Sequence, residues 1–176
     1  LCASLEEAVA RSGLQDGMTI SFHHAFPEGD RVINSVVAKL AQMGFKGLTL
    51  ASSSLMTCND ALIEHIQSGV IRRIYTSGKG GKLAEAISQG VMDEPVQIQS
   101  QGGRVKLLQD GELNIDVAFL GVPCSDEFGN ANGTHGRSCC GSLGYAMVDA
   151  HFARRVVLLT EELVPFPNMP ASLMQD

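Results

Sequence analysis

A buried strand that leads into a long glycine-rich loop occupies residues 117–144. The run from Val117 to Val122 is apolar, as in a strand covered on both faces. The loop after it carries amide and charged side chains between Gly129, Gly133, Gly136 and Gly141. Glycine lets backbone N–H groups approach a ligand, and α/β proteins bind ligands where their strands end. The segment predicts a ligand site, since long loops in compact domains are usually functional or disordered; an ordinary surface loop is the alternative.

Predicted strands and helices alternate along the early part of the chain at about 25–30 residues per unit, the spacing of parallel βαβ crossovers. The apolar runs lack strict alternation, as expected for strands covered on both faces. A length of 176 residues suits one domain with a core. The chain is therefore predicted to form one α/β domain with a mainly parallel open sheet covered by helices on both faces. The later predicted elements are a strand at Asp116–Val122, a helix at Tyr145–Arg154 and a strand at Val156–Thr160.

The composition argues against several classes of function. The net charge is −6, and no basic stripe exists to replace phosphate counterions, so a nucleic-acid partner is not expected. No apolar run approaches the ~20 residues needed to cross a bilayer, so no membrane partner is expected. Five cysteines without a C-x-x-C pair fit free thiols in a reducing cytoplasm. Cys124, Cys139 and Cys140 do not form a well-spaced ligand set, so no metal site is expected.

Polar loops follow several predicted strands and should gather at one edge of the sheet. Ser52, Ser53 and Ser54 follow the second strand, where helix capping explains them as well as ligand binding does. Gly80 and Gly81 lie in TSGKGGKL, which opens a helix. That helix N-terminus could cradle a phosphate or carboxylate, and a flexible turn is the alternative.

Two glycines precede an arginine at Gly102, Gly103 and Arg104. The glycines would expose amide hydrogens, and the arginine can hold a carboxylate bidentately. Such a cluster suits an acyl oxygen that becomes negative during a reaction. A turn with a solvated arginine is the alternative reading.

Histidines and glutamates also stand at predicted strand ends. His23 and His24 are adjacent, so at most one of them faces a site. Glu161 and Glu162 follow the last strand, and one carboxylate could reach the same edge. Neither G-x-S-x-G nor H-E-x-x-H occurs, so no triad or zinc-protease motif is indicated.

Longer motifs resemble the citrate lyase α-subunit family, a relative of the CoA-transferases. The segments that carry the resemblance are GMTISFHHAFPEGDRVIN, MGFKGLTLASSSL, GGRVKLLQDGELNIDVAFLGVP, DEFGNANG, and CCGSLGYAMVDA with LTEELVPFP. They span essentially the whole chain and imply the CoA-transferase α/β fold (the NagB/RpiA/CoA-transferase type). The resemblance covers only the first of two similar halves expected in the family. It implies a domain over residues 1–164 and a connector to the absent second half over 165–176.

The resemblance implies a transferase that exchanges acetate for citrate on an acyl-carrier thioester, through a ternary complex and a mixed anhydride. It implies an oligomer with a γ subunit that carries a CoA-like pantetheine group and a β subunit that cleaves the citryl thioester. No cofactor would be bound covalently to this chain. The alternative is an inactive fragment or assembly module that docks the other subunits. A sugar-phosphate isomerase is a third hypothesis, but it would need a clear phosphate loop and a paired acid and base.

The resemblance also implies site residues. Gly102, Gly103 and Arg104 correspond to a glycine loop that lines the acyl site in similar proteins. The implied substrate- or CoA-binding residues are Ser52, Ser53, Ser54, Gly80, Gly81, Gly129, Asn130, Asn132 and Gly133.

Overall fold

The computed structural model describes residues 1–23 and 31–166. Strands and helices alternate in this part of the chain, as predicted. The strands are β1 (Thr19–His23), β2 (Leu48–Ser52), β3 (Ile71–Thr76), β4 (Gln97–Ile98), β5 (Val117–Asp126), β6 (Ala131–Asn132) and β7 (Arg155–Val164). The helices are α1 (Leu5–Ser12), α2 (Val32–Gln42), α3 (Leu62–Gln67), α4 (Gly81–Ser88), α5 (Gln101–Gln109) and α6 (Tyr145–Phe152), with a 3₁₀ turn at Thr57–Asn59.

The strands form one sheet in the spatial order β4-β3-β2-β1-β5, and β7 pairs with β5 as well. β1 is parallel to both of its neighbours, since Ile20 pairs with Leu50 of β2 and with Val117 of β5. β7 is parallel to β5 along its length, whereas the short β6 is antiparallel to the end of β5. The prediction of a mainly parallel open sheet is therefore confirmed.

Helices cover both faces of this sheet. One hydrophobic core lies between α1, α2, α3, α4 and one face, to which β1 contributes Ile20 and Phe22. A second core lies between α5, α6 and the opposite face, and it includes Leu120 of β5. Successive strand residues point to opposite faces, so β1 presents Ser21 and His23 to the side of α5 and α6. Burial on both faces explains why the central strands show no polar alternation.

The helices are short and closed by local signals. At the start of α1, the Ser4 hydroxyl accepts a hydrogen bond from the Glu7 amide at 3.2 Å. Gly13 ends the same helix with a φ of 72°, a left-handed conformation that favours glycine. The longest described helix, α2, has 11 residues. Within residues 1–23 and 31–166, no helix has the length and apolar character required to span a membrane.

The last strand is longer than the sequence predicts. β7 continues past Thr160 to Val164 because it stays paired with β5 as far as Asp126. Phe166, at the start of the predicted connector, packs edge-on against Phe128 with ring centroids 4.9 Å apart. Residues 167–176 of that connector lie outside the described part of the chain.

The stacked rings of Phe22 and Phe119 provide a test of the first core, since their centroids are 5.7 Å apart. Phe119 is fully buried, and we expect Phe119→Ala to lower the free energy of unfolding by about 3–5 kcal/mol because it leaves a cavity. The matched control is Phe128→Ala, whose side chain is 62% exposed. That control should lose no more than about 1.5 kcal/mol, the range of one aromatic pair. Urea denaturation followed by circular dichroism measures both, and equal losses would contradict this assignment of the core.

Candidate functional site at the carboxyl edge of the sheet

The loops that follow the parallel strands are joined by backbone hydrogen bonds. The amide of Ser53, after β2, donates to the carbonyl of Phe22 in β1 at 3.4 Å. The amide of Ser77, after β3, donates to the carbonyl of Ser53 at 2.9 Å. The amide of Gln99, after β4, donates to the carbonyl of Thr76 at 3.1 Å. The strand ends therefore form one continuous edge, where ligand sites of open α/β sheets usually lie.

A hollow of about 270 Å³ opens between the carboxyl-terminal parts of β1, β5 and β7. The apolar part of its wall comes from β5, β7 and the first residue of α2. The polar residues that line it are His23, Ser138, Cys140, Thr160 and Glu161. The Ser138 hydroxyl donates a hydrogen bond to the Glu161 carboxylate. Apolar walls with a few convergent polar groups are typical of small-molecule sites.

A larger groove of about 600 Å³ runs between α1 and β7. Arg11 of α1 and the apolar residues of β7 line much of it. In the described part of the chain, no residue from the loops after β1, β2, β3 or β5 reaches this groove. The smaller hollow is the better candidate site, because it lies where the strands end and the groove does not.

His23 is the last residue of β1 and faces the hollow. Its ring packs edge-on against Tyr145 of α6, with centroids 5.5 Å apart and planes at 79°. Gly144 precedes α6 with a φ of 53°, and a Cβ built there would be 3.5 Å from Nε2 of His23. The loop backbone thus lies against the imidazole in a conformation that favours glycine. The other predicted candidate, His24, lies outside the described residues.

The glycine–arginine segment lies inside α5 and not in an open turn. Ser100 caps this helix, since its hydroxyl accepts a hydrogen bond from the amide of Gly103 at 3.0 Å. The helix therefore begins at Gln101, ahead of both glycines. Gly102 and Gly103 belong to its first turn, and the Arg104 side chain that follows is only 1% exposed.

Arg104 forms a buried ion pair with Asp149 of α6. Its Nη2 donates to the two carboxylate oxygens at 2.9 and 2.7 Å, and the Ser21 hydroxyl donates to the same group at 2.9 Å. Burial raises the pKa of the Asp149 carboxyl above its ordinary value, and the Arg104 charge with these hydrogen bonds opposes that shift. Nε and Nη1 of Arg104 are buried and have no hydrogen-bond partner within the described residues. The carboxylate that Arg104 holds is the protein's own, so its contact with a substrate stays a prediction.

The N-terminus of α4, predicted to cradle an anion, already holds a carboxylate of this chain. Asp60 Oδ1 accepts a hydrogen bond from the amide of Leu83 at 2.9 Å. Gly81 has a φ of 67°, and a Cβ there would lie 2.7 Å from the same oxygen. Gly80 occupies the preceding N-cap position. A ligand anion at this helix end would have to displace Asp60.

The serines at the end of β2 lie next to the glycine loop that follows β3. The Ser52 hydroxyl is buried and donates to the carbonyl of Ser54 at 3.1 Å. The amide of Leu55 donates to the carbonyl of Gly78 at 2.9 Å. Ser53 is buried, whereas Ser54 is partly exposed. The two loops predicted to contact substrate are therefore adjacent, and Ser54 is the serine best placed to reach a ligand.

Asp126 organises the turn between β5 and β6. Its Oδ1 accepts hydrogen bonds from the amides of Phe128 at 2.9 Å and Asn130 at 3.0 Å. Its Oδ2 accepts one from the Asn130 side chain at 2.8 Å. Burial alone would raise the pKa of the Asp126 carboxyl, but these hydrogen bonds outweigh it and lower the pKa below the usual value. The side-chain amide of Asn130, predicted to bind substrate, is therefore already bonded to Asp126. Gly129 completes the turn with a φ of 86°.

Asn132 and Gly133 close the glycine-rich loop. The Asn132 side-chain oxygen accepts a hydrogen bond from the amide of Thr134 at 2.9 Å. The Gly133 carbonyl accepts from the amides of Cys140 at 2.8 Å and Gly141 at 2.9 Å. A Cβ on Gly133 would lie 1.9 Å from the Gly141 carbonyl oxygen, so a side chain there has no room. These contacts bring Cys140 to the hollow.

The predicted residues do not all share one cavity. The serine loop and Gly80–Gly81 lie together at the edge, whereas Arg104 faces Asp149 in the interior. Neither the hollow nor the groove is lined by Gly102, Arg104 or Asn130. The resemblance implies that all three contribute to binding or catalysis, and neither of these two cavities brings them together.

The hollow also contains residues that the sequence did not single out. Ser138 and Cys140 come from a loop whose path no periodicity predicts. Glu161 also lines the hollow, but it lies within β7 and not after it. Burial raises the pKa of the Cys140 thiol, so the thiol is a weak nucleophile and contributes to the wall of the hollow as an apolar group. All five cysteines are free. In the described ranges, no group of three or more His, Cys, Asp or Glu is arranged to hold a metal ion.

Comparison with known proteins gives consistent matches along the whole chain. Residues 1–176 match the family model described as "Citrate lyase, alpha subunit (CitF)". The citrate lyase alpha chain of Klebsiella pneumoniae is 70% identical over 176 residues, which are 100% of this chain and 35% of that protein. The chain thus spans about a third of the length of the curated relatives it matches.

Solved structures agree with the fold. A Streptococcus mutans structure, described as the α subunit of citrate lyase in complex with citrate, superimposes with a TM-score of 0.95 at 50% identity. That match covers 98% of this chain and 34% of the other. Glutaconate coenzyme A-transferase from Acidaminococcus fermentans gives a TM-score of 0.65 at 12% identity, over 93% of this chain and 67% of that one. The CoA-transferase fold implied by the sequence is confirmed.

Removing one partner of the buried ion pair should cost more stability than removing both. Arg104→Met leaves the Asp149 carboxylate without its counter-charge, so we expect a loss of about 3–5 kcal/mol in the free energy of unfolding. Arg104→Met with Asp149→Leu removes both charges and should recover most of that loss. The control is Arg154→Met, which removes an exposed arginine paired with Asp116, and a loss below about 1 kcal/mol is expected. Urea unfolding measures the parent and the three variants, and a double variant no more stable than Arg104→Met would disprove the coupling.

The lowered pKa of Asp126 predicts how the turn responds to acid. A carboxyl with a folded pKa below its unfolded value of about 3.9 stabilises the fold above that pH. This contribution is lost as pH falls through the folded pKa. Asp126→Asn should therefore be less stable than the parent by a constant amount from pH 7 to about pH 5, and the difference should shrink in stronger acid. Urea midpoints between pH 3 and 7 test this against Asp93→Asn, an exposed carboxylate; a gap that does not change with pH would refute it.

Proposed function

Because the chain belongs to the citrate lyase α-subunit family, we propose that it forms part of a transferase that exchanges acetate for citrate on an acyl-carrier thioester. The observation that carries this proposal is 70% identity to a citrate lyase alpha chain over every residue of this chain. The whole chain also matches the family model. Since it spans about a third of such relatives, the proposal concerns the activity to which this domain contributes.

The proposed exchange needs no nucleophilic side chain. A citrate carboxylate attacks the thioester carbonyl, and the carrier thiolate leaves to give a mixed anhydride of citrate and acetate. The thiolate then attacks the citryl carbonyl of that anhydride, and acetate leaves. Binding both substrates side by side removes much of the entropic barrier. Fixed hydrogen-bond donors stabilise the negative charge that develops on the acyl oxygen.

The charges around the hollow favour the thioester arm over citrate as its ligand. Among the described lining residues there is no lysine or arginine, and Glu161 contributes a carboxylate. Citrate carries three carboxylates and would be repelled, whereas an acyl thioester on a pantetheine-like arm is uncharged at that end. The apolar walls from β5 and β7 suit the methylene groups of such an arm.

The predicted site residues enter the proposal with different support. The loops of Ser52–Ser54 and Gly80–Gly81 lie on the edge beside the strand ends and are proposed to bind substrate or the CoA-like arm. The turn of Gly129–Gly133 is proposed to support the loop that lines the hollow. Gly102, Gly103 and Arg104 keep their proposed catalytic role only if substrate reaches the buried Nε or Nη1 donor of Arg104.

The proposal includes partners supplied by other chains. The thioester would be carried by a γ subunit with a pantetheine group, and a β subunit would cleave the citryl thioester. No cofactor would be attached to this chain. A cytoplasmic setting belongs to the same proposal and is supported by the five free cysteines.

The second candidate is an assembly module that docks the other subunits while catalysis needs further polypeptide. The share of relatives that the chain covers, 35%, motivates it. Acetyl thioester and labelled citrate, incubated with the 176-residue chain and with a full-length α chain, separate the two readings. Citryl thioester from the full-length chain alone, detected by mass spectrometry, supports the module; formation by both supports the transferase.

The hollow gives a sharper prediction for the active protein. Cys140→Phe should fill it and raise the KM for the acetyl thioester about tenfold, which corresponds to about 1.4 kcal/mol of lost binding. The KM for citrate should not change. Cys139→Phe is the matched control, because this adjacent exposed cysteine does not line the hollow. Steady-state kinetics with each substrate varied would count against the assignment if both variants raised the thioester KM equally.

A further inference from the structure

Two side-chain contacts hold α6 against β1. The Ser21 hydroxyl of β1 donates to Asp149 at 2.9 Å, and the ring of His23 packs edge-on against Tyr145. Ser21 and His23 lie two residues apart on one face of the strand. Tyr145 and Asp149 lie four residues apart on one face of the helix. The position of α6 along β1 therefore sets both contacts together.

Arg104 fixes the Asp149 end of this arrangement. Both carboxylate oxygens of Asp149 accept hydrogen bonds from Nη2 of Arg104, and both side chains are almost completely buried, at 1% and 0% exposed. A buried carboxylate without its cation would be strongly disfavoured, so Asp149 stays where Arg104 holds it. Residues of α5, α6 and β1 thus meet at one carboxylate.

The N-terminal end of α6 packs against His23, which lines the hollow. Gly144 lies against Nε2 of His23, and the loop that leads into it supplies Ser138 and Cys140 to the wall. A shift of α6 would move Tyr145 away from the imidazole and carry Gly144 with it. The hollow therefore depends on a carboxylate that does not itself line it.

We propose that Asp149 is a positioning residue, which holds the imidazole of His23 at the hollow through Ser21 and Tyr145. Its relevance to acyl transfer rests on the proposed function, because the hollow is the proposed site of the thioester. The geometric claim about His23 does not depend on that reaction. A purely structural role for Asp149 would instead loosen the whole domain and leave no specific trace at His23.

Carbethoxylation of histidines by diethylpyrocarbonate tests the claim in the full chain, without citrate or thioester. Fragment-ion mass spectrometry separates His23 from the adjacent His24, and His65 of α3 is the internal reference. Ser21→Ala removes one hydrogen bond to Asp149 and leaves the Arg104 pair intact. We expect the ratio of His23 to His65 modification rates to rise about fivefold, the factor that corresponds to one buried hydrogen bond of about 1 kcal/mol.

Two further variants keep the test decisive. Thr76→Val removes a buried hydroxyl that bonds the Gly78 carbonyl at 2.8 Å, away from α6, and should leave the ratio unchanged. Arg104→Met with Asp149→Leu removes the carboxylate without stranding a charge, and should raise the ratio at least as much as Ser21→Ala. An unchanged ratio in Ser21→Ala and in the double variant, a joint rise of His23 and His65, or an equal rise in Thr76→Val would overturn the proposal. Because no substrate is present, each outcome is independent of whether the exchange reaction occurs.

Discussion

The buried pair of Arg104 and Asp149 joins elements that are far apart in the sequence. Nη2 of Arg104 reaches both oxygens of a carboxylate on α6, which also accepts the hydroxyl of Ser21 in the centre of the sheet. Such a pair adds little net stability, since two charges must leave water, but it is intolerant of a missing partner. It therefore acts more by fixing geometry than by adding free energy. The ion pair fixes the position of α6, and α6 in turn fixes the end of the glycine-rich loop that precedes it.

A second theme is that the strand-end loops satisfy their own polar groups. Asp60 occupies the N-terminus of α4, and Asp126 binds the amides and the asparagine side chain of the β5–β6 turn. These hydrogen bonds hold the loops in place without a ligand. Preorganised donors are what acyl-transfer chemistry requires, because they need not reorganise as charge develops. Because these polar groups already have hydrogen-bond partners within the chain, a polar residue in these loops does not by itself indicate a ligand contact.

The sequence predicts the fold well and the site only in outline. Apolar runs without alternation and regularly spaced helices identify a parallel sheet, and they do so because burial on both faces leaves that pattern. The sequence offers a turn at Gly102 and Gly103, whereas α5 begins at Gln101, because the Ser100 cap stabilises a helix start that two glycines disfavour. The partner of Arg104 could not be foreseen, because a contact between residues 104 and 149 leaves no local pattern. The glycine-rich segments after β3 and β5 leave the sheet as loops, whereas Gly102 and Gly103 lie in a helix. Residue type alone does not distinguish an amide that is free to bind a ligand from one that is bonded within the chain.

The outer edge of β7 is not paired with another strand of the described residues. Within residues 1–23 and 31–166, β7 pairs with β5 and with no other strand, so its outer edge presents unused backbone donors and acceptors over ten residues. Apolar side chains from Val156 to Leu159 stand along that edge and are only partly covered. An uncovered edge of this length is a template on which another chain can add a strand. Material prepared as the 176-residue span should be prone to self-association, and solubility tags or charged substitutions along β7 would be the first remedy.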